Sequence, residues 1–308
     1  MKKNDQRESS SVERSDVNRL KTPFAKFGRK AGLAAIGLFT IVVVSGCSST
    51  TITDLDYWKR IGMPEPASKE GAEYTLPFWQ GSWVAAMIVG IFVWGLIFWA
   101  MAVYRRRKGD GVPRQIQYNM PLEALWTVVP LIMVIAIFSF AARDEAALTA
   151  VQEDTPTVGV QAFRWSWAFN YYDQDVYDTG LPANFGAEDL NGPVIGADPE
   201  MPMLWLVKDK KVKFELTSPD VIHSFWVPAF LTKLDVVPGR TNYLEVTPNK
   251  LGMFAGKCAE LCGVDHSRML FNVNVVTQDE FNKHVEDLKK KGQTGKMQDR
   301  TTDRAQVV

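Results

Sequence analysis

Two long apolar runs constrain the fold of this chain more than any other feature. Residues 82–103 read SWVAAMIVGIFVWGLIFWAMAV, without a charge, and as a helix they rise about 33 Å, enough to cross a bilayer. The second run, residues 125–142, reads LWTVVPLIMVIAIFSFAA. Its Pro130 is compatible with a membrane helix, because neighbouring helices satisfy the freed carbonyl. The sequence therefore predicts a two-helix transmembrane hairpin over residues 81–143.

The charges between the two runs predict the orientation of this hairpin. The connecting loop carries Arg105, Arg106, Arg107, Lys108 and Arg114. Basic loops stay in the cytoplasm, so both ends of the mature chain are expected outside the cell. We expect a multi-pass protein of the cell membrane whose C-terminal part lies on the outer face.

The N-terminal residues indicate export. A basic polar stretch precedes the apolar residues 31–44 and the sequence VSGC, which predicts a signal peptide over residues 1–46. VSGC resembles a bacterial lipobox, which implies that Cys47 is lipidated and becomes the mature N-terminus. The alternative is an uncleaved anchor with a chance cysteine. Residues 47–80 are polar and rich in Pro and Gly, which predicts an irregular external segment.

The second half of the chain has the pattern of an all-β domain. Short alternating runs rich in β-branched and aromatic residues are separated by Pro, Gly and Asn, which predicts a sandwich or barrel over residues 150–276. Residues 179–202 form a long insertion rich in Gly, Pro and Asp. Residues 277–308 are expected to form a capped helix and then a disordered tail. His284, among Lys and Glu in that helix, is expected on its solvated surface.

The chain also contains a compact group of soft metal ligands. Residues 256–269 read GKCAELCGVDHSRM, and thiolates with His and Met favour copper. A single blue-copper site takes one Cys, two His and a weak Met, so this set has one thiol too many. With His223 added, it suits two copper ions that share both thiolates, with Met269 as a weak ligand. A Cys258–Cys262 disulfide, typical of an oxidising compartment, is the alternative.

Several other classes of site find no support in the sequence. There is no CxxCH motif for covalent haem, no glycine-rich phosphate loop, and no GxSxG or HExxH motif. Lys plus Arg equal Asp plus Glu over the whole chain, and no nucleic-acid partner is expected.

The spacing H…CxExCxxxHxxM, together with the apolar hairpin, resembles subunit II of cytochrome c oxidase over about residues 80–290. The resemblance implies a cupredoxin-like domain with a dinuclear copper A centre. The implied copper ligands are His223, Cys258, the backbone carbonyl of Glu260, Cys262, His266 and Met269. The Glu260 carboxylate would bind magnesium at the interface with subunit I.

The resemblance also implies a function and partners. Such a subunit accepts electrons from cytochrome c and passes them to subunit I, which reduces oxygen to water. Subunits I and III and membrane lipid are the implied partners. In FRWSWAFNY, Trp165 falls on the tryptophan through which electrons enter, and we expect it to share one strand face with Phe163 and Trp167. In MPLEALWTVVP, Glu123 falls on the acid at the mouth of a proton pathway into subunit I.

Acidic residues indicate a docking surface for the electron donor. Residues 151–276 contain 16 Asp and Glu against 10 Lys and Arg, a net charge of −6, which would steer a cationic donor. The resemblance places Asp220 on the family's cytochrome-docking face, and Asp173, Asp175 and Asp178, just after the tryptophan segment, are expected to take part in docking as well. Asn170 replaces an acid of many relatives, and the 179–202 insertion is long. Both departures favour a different donor, a membrane-bound cytochrome in a permanent complex, and the combination resembles the actinobacterial type.

Two other functions are compatible with part of this pattern. The quinol-oxidase version of the fold lacks the copper ligands, which are all present here. A non-catalytic copper-binding or assembly lipoprotein of the membrane would need neither Glu123 nor the tryptophan segment.

Overall fold

The computed structural model describes residues 58–105, 111–112, 115, 117–183 and 201–297. Several expectations lie outside the described residues: the signal peptide, the lipidation of Cys47, most of the basic loop, most of the 179–202 insertion and the tail after residue 297.

Two long helices form the hairpin. Helix α1 spans Leu76–Val103 and follows a π-helical turn at Gly71–Thr75, and helix α2 spans Met120–Thr149. Both are long and apolar enough to cross a membrane. Both helices are longer than the apolar runs, because the residues that flank each run also form helical hydrogen bonds. The π-helical turn and the start of α1 therefore lie inside the segment 47–80, for which the sequence predicts an irregular structure.

The chain before α1 is hydrogen-bonded to the β domain. The Ser68 hydroxyl donates to the Phe230 carbonyl at 2.9 Å, and the Glu70 carboxylate accepts from the Thr247 amide at 2.8 Å. A Cβ atom at Gly71 would meet the Phe230 carbonyl oxygen, so only glycine permits this close approach. The membrane segment is thus joined to the β domain by buried polar contacts as well as by the chain.

The β domain is a sandwich of two five-stranded sheets. The strands are β1 Thr157–Phe163, β2 Ser166–Tyr171, β3 Val176–Thr179, β4 Met203–Val207, β5 Val212–Thr217, β6 His223–Val227, β7 Thr232–Val236, β8 Asn242–Val246, β9 Gly252–Cys258 and β10 Leu270–Val276. One sheet has the order β3-β2-β1-β5-β8 and the other β4-β10-β9-β6-β7. The pairs β1/β5 and β10/β4 are parallel and the others antiparallel. Aromatic side chains from both sheets, including Trp167, Phe214, Phe225 and Phe271, fill the space between them.

The tryptophan segment is a hairpin, not one strand. Phe163 pairs with Ser166, so Arg164 and Trp165 form the two-residue turn between β1 and β2. The expectation that Phe163, Trp165 and Trp167 share one face of a strand is therefore wrong. The alternation is interrupted at the turn, so Trp165 packs against the rim of the core and stays partly exposed.

Helix α3, Gln278–Lys290, closes one edge of the sandwich. Thr277 and Glu280 form the expected capping box. His284 is not solvated: its ring stacks on Trp205 with centroids 4.2 Å apart, and its Nε2 lies 3.2 Å from the Asp178 carboxylate. That prediction is wrong because His284 lies on the same helix face as the buried Phe281, Val285 and Leu288.

Candidate metal centre

Three neighbouring strands bring distant ligands to one edge of a sheet. His223 is the first residue of β6, Cys258 is the last of β9, and Met269 directly precedes β10. Because β9 runs antiparallel to both neighbours, these three strand ends coincide. The loop 259–269 between β9 and β10 then supplies the remaining candidate ligands. The Cys258 amide donates to the Met269 carbonyl at 3.0 Å, which closes the base of that loop.

The two thiols lie together, and each faces its own imidazole. The Sγ atoms of Cys258 and Cys262 are 3.9 Å apart. His223 Nδ1 lies 3.8 Å from the Cys258 sulfur, and His266 Nδ1 lies 3.5 Å from the Cys262 sulfur. The Met269 sulfur is 3.7 Å from the Cys262 sulfur, and the Glu260 carbonyl oxygen is 3.2 Å from the Cys258 sulfur. The donors therefore form two linked halves, each with one thiol and one ring nitrogen.

These separations fit donors that share metal ions. Metal–sulfur and metal–nitrogen bonds of about 2.3 and 2.0 Å at a tetrahedral angle place the two donor atoms about 3.5 Å apart. The ligand atoms of His223, Cys258 and Cys262 all lie within 4.8 Å of one another, so this group can hold a metal ion. Cys258 and Cys262 are free thiols, and a disulfide would bring their sulfurs to about 2 Å.

Electrostatics distinguish the two thiols in the metal-free protein. Burial acts to raise the pKa of Cys258, but hydrogen bonds, first with His223, outweigh it and lower the pKa. Burial and the neighbouring Cys258 raise the pKa of Cys262 to about 12. Burial opposes the charged form of His223, yet hydrogen bonds with Asp220 and Cys258 raise its pKa. Cys258 is thus the thiol that loses its proton first, and metal binding would displace both thiol protons.

Trp165 reaches the ligand loop from the other sheet. Its indole N–H donates to the Cys262 carbonyl at 3.1 Å. Gly263, the next residue, has φ +128°, and a Cβ atom there would lie 3.0 Å from the indole ring. The indole of Trp167, buried beneath the site, donates to the Met269 carbonyl at 3.3 Å. The half-buried ring of Trp165 therefore touches the backbone of a candidate ligand.

Asp220 lies against the ligands and not on an open acidic surface. One carboxylate oxygen is 2.9 Å from His223 Nε2, and the other accepts from the Arg164 amide at 2.7 Å. Burial acts to raise the Asp220 pKa, but the bonds to His223 and Arg164 lower it to about 2. With its side chain 13% exposed, Asp220 does not fit the docking role predicted for it. Its position three residues before His223 was the signal in the sequence.

The other predicted residues lie apart from this cluster. Asp173 and Asp175 are exposed after β2, whereas Asp178 is buried beside His284, which does not fit a docking residue. Asn170 is buried, and its side-chain oxygen accepts from the Met297 amide at 2.8 Å. Glu123 lies in the first turn of α2, at the end of the helix far from the β domain.

Comparison with known families assigns both parts of the chain. Residues 157–276 match the family model "Cytochrome C oxidase subunit II, periplasmic domain", and residues 57–142 match the model of the transmembrane domain. This chain belongs to the cytochrome c oxidase subunit II family. The resemblance drawn from the ligand spacing is therefore confirmed, as is the fold of an apolar hairpin plus a β-sandwich. As in its family, the β domain lies on the outer side of the membrane.

Two relatives that match most of the chain agree with this assignment. The probable cytochrome c oxidase subunit 2 of Streptomyces avermitilis is 48% identical over 279 residues, which cover 82% of this chain and 87% of the relative. Cytochrome c oxidase subunit 2 of Mycobacterium tuberculosis is 33% identical over 302 residues, with 84% and 81% covered. The crystal structure of the periplasmic domain of subunit II of Bradyrhizobium japonicum is 34% identical, with a TM-score of 0.40, 46% of this chain covered and 99% of that domain.

Proposed function

We propose that this chain is the electron-accepting subunit of a cytochrome c oxidase. It takes electrons from cytochrome c, or from a membrane-bound cytochrome of a supercomplex, and passes them to subunit I for the reduction of oxygen to water. The observation that carries the proposal is the pair of adjacent thiols, each facing its own imidazole.

The proposed cofactor is a pair of copper ions. The residues that would hold them are His223, Cys258, the Glu260 carbonyl, Cys262, His266 and Met269. Bound there, the copper pair supplies a centre that takes up and releases one electron. The chain contributes two thiolates to share between the ions and one imidazole for each. The buried Met269 thioether is a weak ligand, so it tunes the reduction potential more than it holds the metal.

Trp165 is the proposed point at which electrons enter. It lies in a hairpin turn, is partly exposed, and is hydrogen-bonded to the carbonyl of Cys262. An aromatic ring in this position gives the donor a short path to the ligand loop.

The remaining roles concern the wider complex. We propose that Glu123 helps load protons from the cytoplasmic side, that the exposed Glu260 carboxylate binds magnesium shared with subunit I, and that subunit III is a further partner. Asp173 and Asp175 remain exposed acids for steering a cationic donor. A lipid on Cys47 would add a membrane anchor at the mature N-terminus.

The proposal is tested by metal analysis of the full-length chain purified in detergent. We expect two copper ions per chain, sharing one unpaired electron in the oxidised state. His266→Ala should disrupt the centre, whereas Met269→Leu should keep both ions and shift the reduction potential. One copper per chain, or a Cys258–Cys262 disulfide in the copper-loaded protein, contradicts the proposal. Copurification with subunit I separates it from a copper-binding assembly lipoprotein.

A further inference from the structure

Two hydrogen-bonded routes connect the Arg164–Trp165 turn to the candidate ligands. In the first, the Trp165 indole donates directly to the Cys262 carbonyl. In the second, the Arg164 amide donates to one oxygen of the Asp220 carboxylate, whose other oxygen contacts His223 Nε2. The turn that carries Trp165 is therefore tied to both halves of the ligand set, and the second tie depends on a single side chain.

The two nitrogens of His223 have different neighbours. Nδ1 faces the Cys258 sulfur at 3.8 Å, while Nε2 faces Asp220 at 2.9 Å. An ionised carboxylate only accepts hydrogen bonds, so Nε2 carries a hydrogen and the Nδ1 lone pair is left for a metal. Asp220 therefore selects the tautomer of His223 that can act as a ligand, and it fixes the direction of the ring.

The Asp220 carboxylate is itself held in place. The oxygen that faces His223 also accepts from the Val221 amide at 2.6 Å. The Ser218 hydroxyl lies 3.2 Å from the same oxygen and donates to the Val221 carbonyl at 2.6 Å. The other oxygen accepts from the Arg164 amide and lies 3.5 Å from the Arg164 Nε. Both oxygens are thus used inside the protein, whereas a docking carboxylate needs its oxygens free for the partner.

We propose that Asp220 is a positioning residue of the metal centre. Its one carboxylate orients the His223 imidazole and holds the backbone of the Arg164–Trp165 turn, so the tryptophan and the ligands move as one unit. The inference rests on the proposed function, since it takes His223 as a copper ligand.

The test is Asp220→Asn in the full-length chain. The Arg164 amide and His223 Nε2 approach different oxygens of Asp220. The side chain of asparagine has an acceptor at only one of those two positions, so it cannot keep both contacts. We expect about 10- to 100-fold weaker copper binding, as is usual when a partner of a ligating histidine is lost, together with a shifted reduction potential and copper spectrum. In the copper-free chain, amide hydrogen exchange at the Arg164–Trp165 turn should become faster.

Asp173→Asn is the matched control, because it removes an exposed acid of the predicted docking group. It should keep the wild-type copper affinity, spectrum and exchange rates. If Asp220→Asn also keeps all of these and weakens only the binding of horse cytochrome c, used as a cationic probe, Asp220 is a docking residue and the inference is overturned.

A gentler variant covers the case in which Asp220→Asn does not fold. Ser218→Ala leaves the carboxylate and its charge but removes the hydroxyl beside it, which accepts from the Asp220 amide at 3.3 Å and donates to the Val221 carbonyl at 2.6 Å. It should shift the reduction potential and the exchange rate in the same direction by a smaller amount, and wild-type values for both overturn the inference. A wild-type chain that binds no copper would overturn the proposed function and, with it, the claim that Asp220 orients a copper ligand. The exchange experiment on copper-free protein separately tests the tie between Asp220 and the turn, and unchanged exchange in Asp220→Asn overturns that tie.

Discussion

At the scale of single residues, the approach of Trp165 to the ligand loop depends on one glycine. Gly263 has a positive φ, which favours glycine, and its Cα faces the indole ring. A side chain at this position would therefore be strained by its backbone and would also push against Trp165. The ligand loop and the hairpin turn have to approach closely at Gly263 for the indole N–H to reach the Cys262 carbonyl.

Gly263→Ala should displace the Trp165 ring and lower the free energy of unfolding by about 1–3 kcal/mol. Denaturation of the copper-free chain measures the stability, and reduction by the native donor in stopped flow measures electron transfer, which should slow. Gly239→Ala is the control: Gly239 also has a positive φ, +75°, but a Cβ atom there meets nothing within 4 Å. Equal donor rates in the two variants would contradict the role assigned to Gly263.

Trp165→Gln should slow electron uptake strongly while donor affinity changes little, because the ring provides a short path and not the main docking charge. The measurement is stopped-flow reduction of the copper centre across ionic strength. Trp165→Phe keeps an aromatic ring but loses the indole N–H, so it should fall between Gln and wild type. A Gln variant that is reduced as fast as wild type would leave Trp165 with a packing role only.

At the scale of elements, the first turn of α2 gives Glu123 a second role that the sequence did not indicate. Its carboxylate accepts from the Asn119 amide at 2.8 Å, and the Asn119 side chain accepts from the Leu122 amide at 3.3 Å. This reciprocal pair caps the helix. A variant at Glu123 therefore has to keep the cap if it is to report on proton transfer.

Glu123→Gln meets that condition, because the side-chain oxygen of glutamine can accept from the Asn119 amide as the carboxylate does. It should slow turnover of the complete oxidase while the copper spectrum stays unchanged. Asn119→Ala is the control, since it weakens the cap and leaves the carboxylate, and it should keep turnover close to wild type. Wild-type turnover in Glu123→Gln would end the proton-loading proposal.

At the scale of the whole molecule, helix α3 divides the predicted acidic surface. Asp178 is buried beside His284, which stacks on Trp205, whereas Asp173 and Asp175 are exposed. Asp178 thus contributes to the packing of α3 against the sandwich. Asp173 and Asp175, in the loop after β2, are available to a partner.

Neutralising Asp173 and Asp175 together should weaken donor association and reduce its dependence on salt, with electron transfer in the bound complex intact. Asp178→Asn should instead lower the free energy of unfolding by about 1–3 kcal/mol, because it removes the carboxylate that lies 3.2 Å from the partly buried His284 imidazole. Stopped-flow kinetics across ionic strength and thermal unfolding separate the two effects. Loss of stability in the double variant, or of salt dependence in Asp178→Asn, would contradict this division.

Features that depend on composition and on the spacing of residues could be predicted without the structure. A run of some 20 uncharged apolar residues has few stable locations other than a bilayer, so the hairpin could be predicted. Two thiols, a histidine and a methionine at this spacing favour copper, so the candidate ligands could be named before their geometry was known. The capping box of α3 was equally local, because its two partners lie three residues apart.

The side-chain contacts between the two sheets could not be predicted, because they depend on how distant strands pack. The turn at Arg164–Trp165 follows from the pairing of β1 with β2, and the contact with Cys262 joins residues 97 positions apart. The role of Asp220 could not be read from its type, because an acid before a β strand is compatible with both a docking surface and a buried carboxylate. The burial of His284 could not be predicted for the same reason. Its neighbours in sequence are charged, but its neighbours in space are Trp205 and Asp178. Burial depends on which face of an element is covered, and here that face is covered by strands far away in the chain.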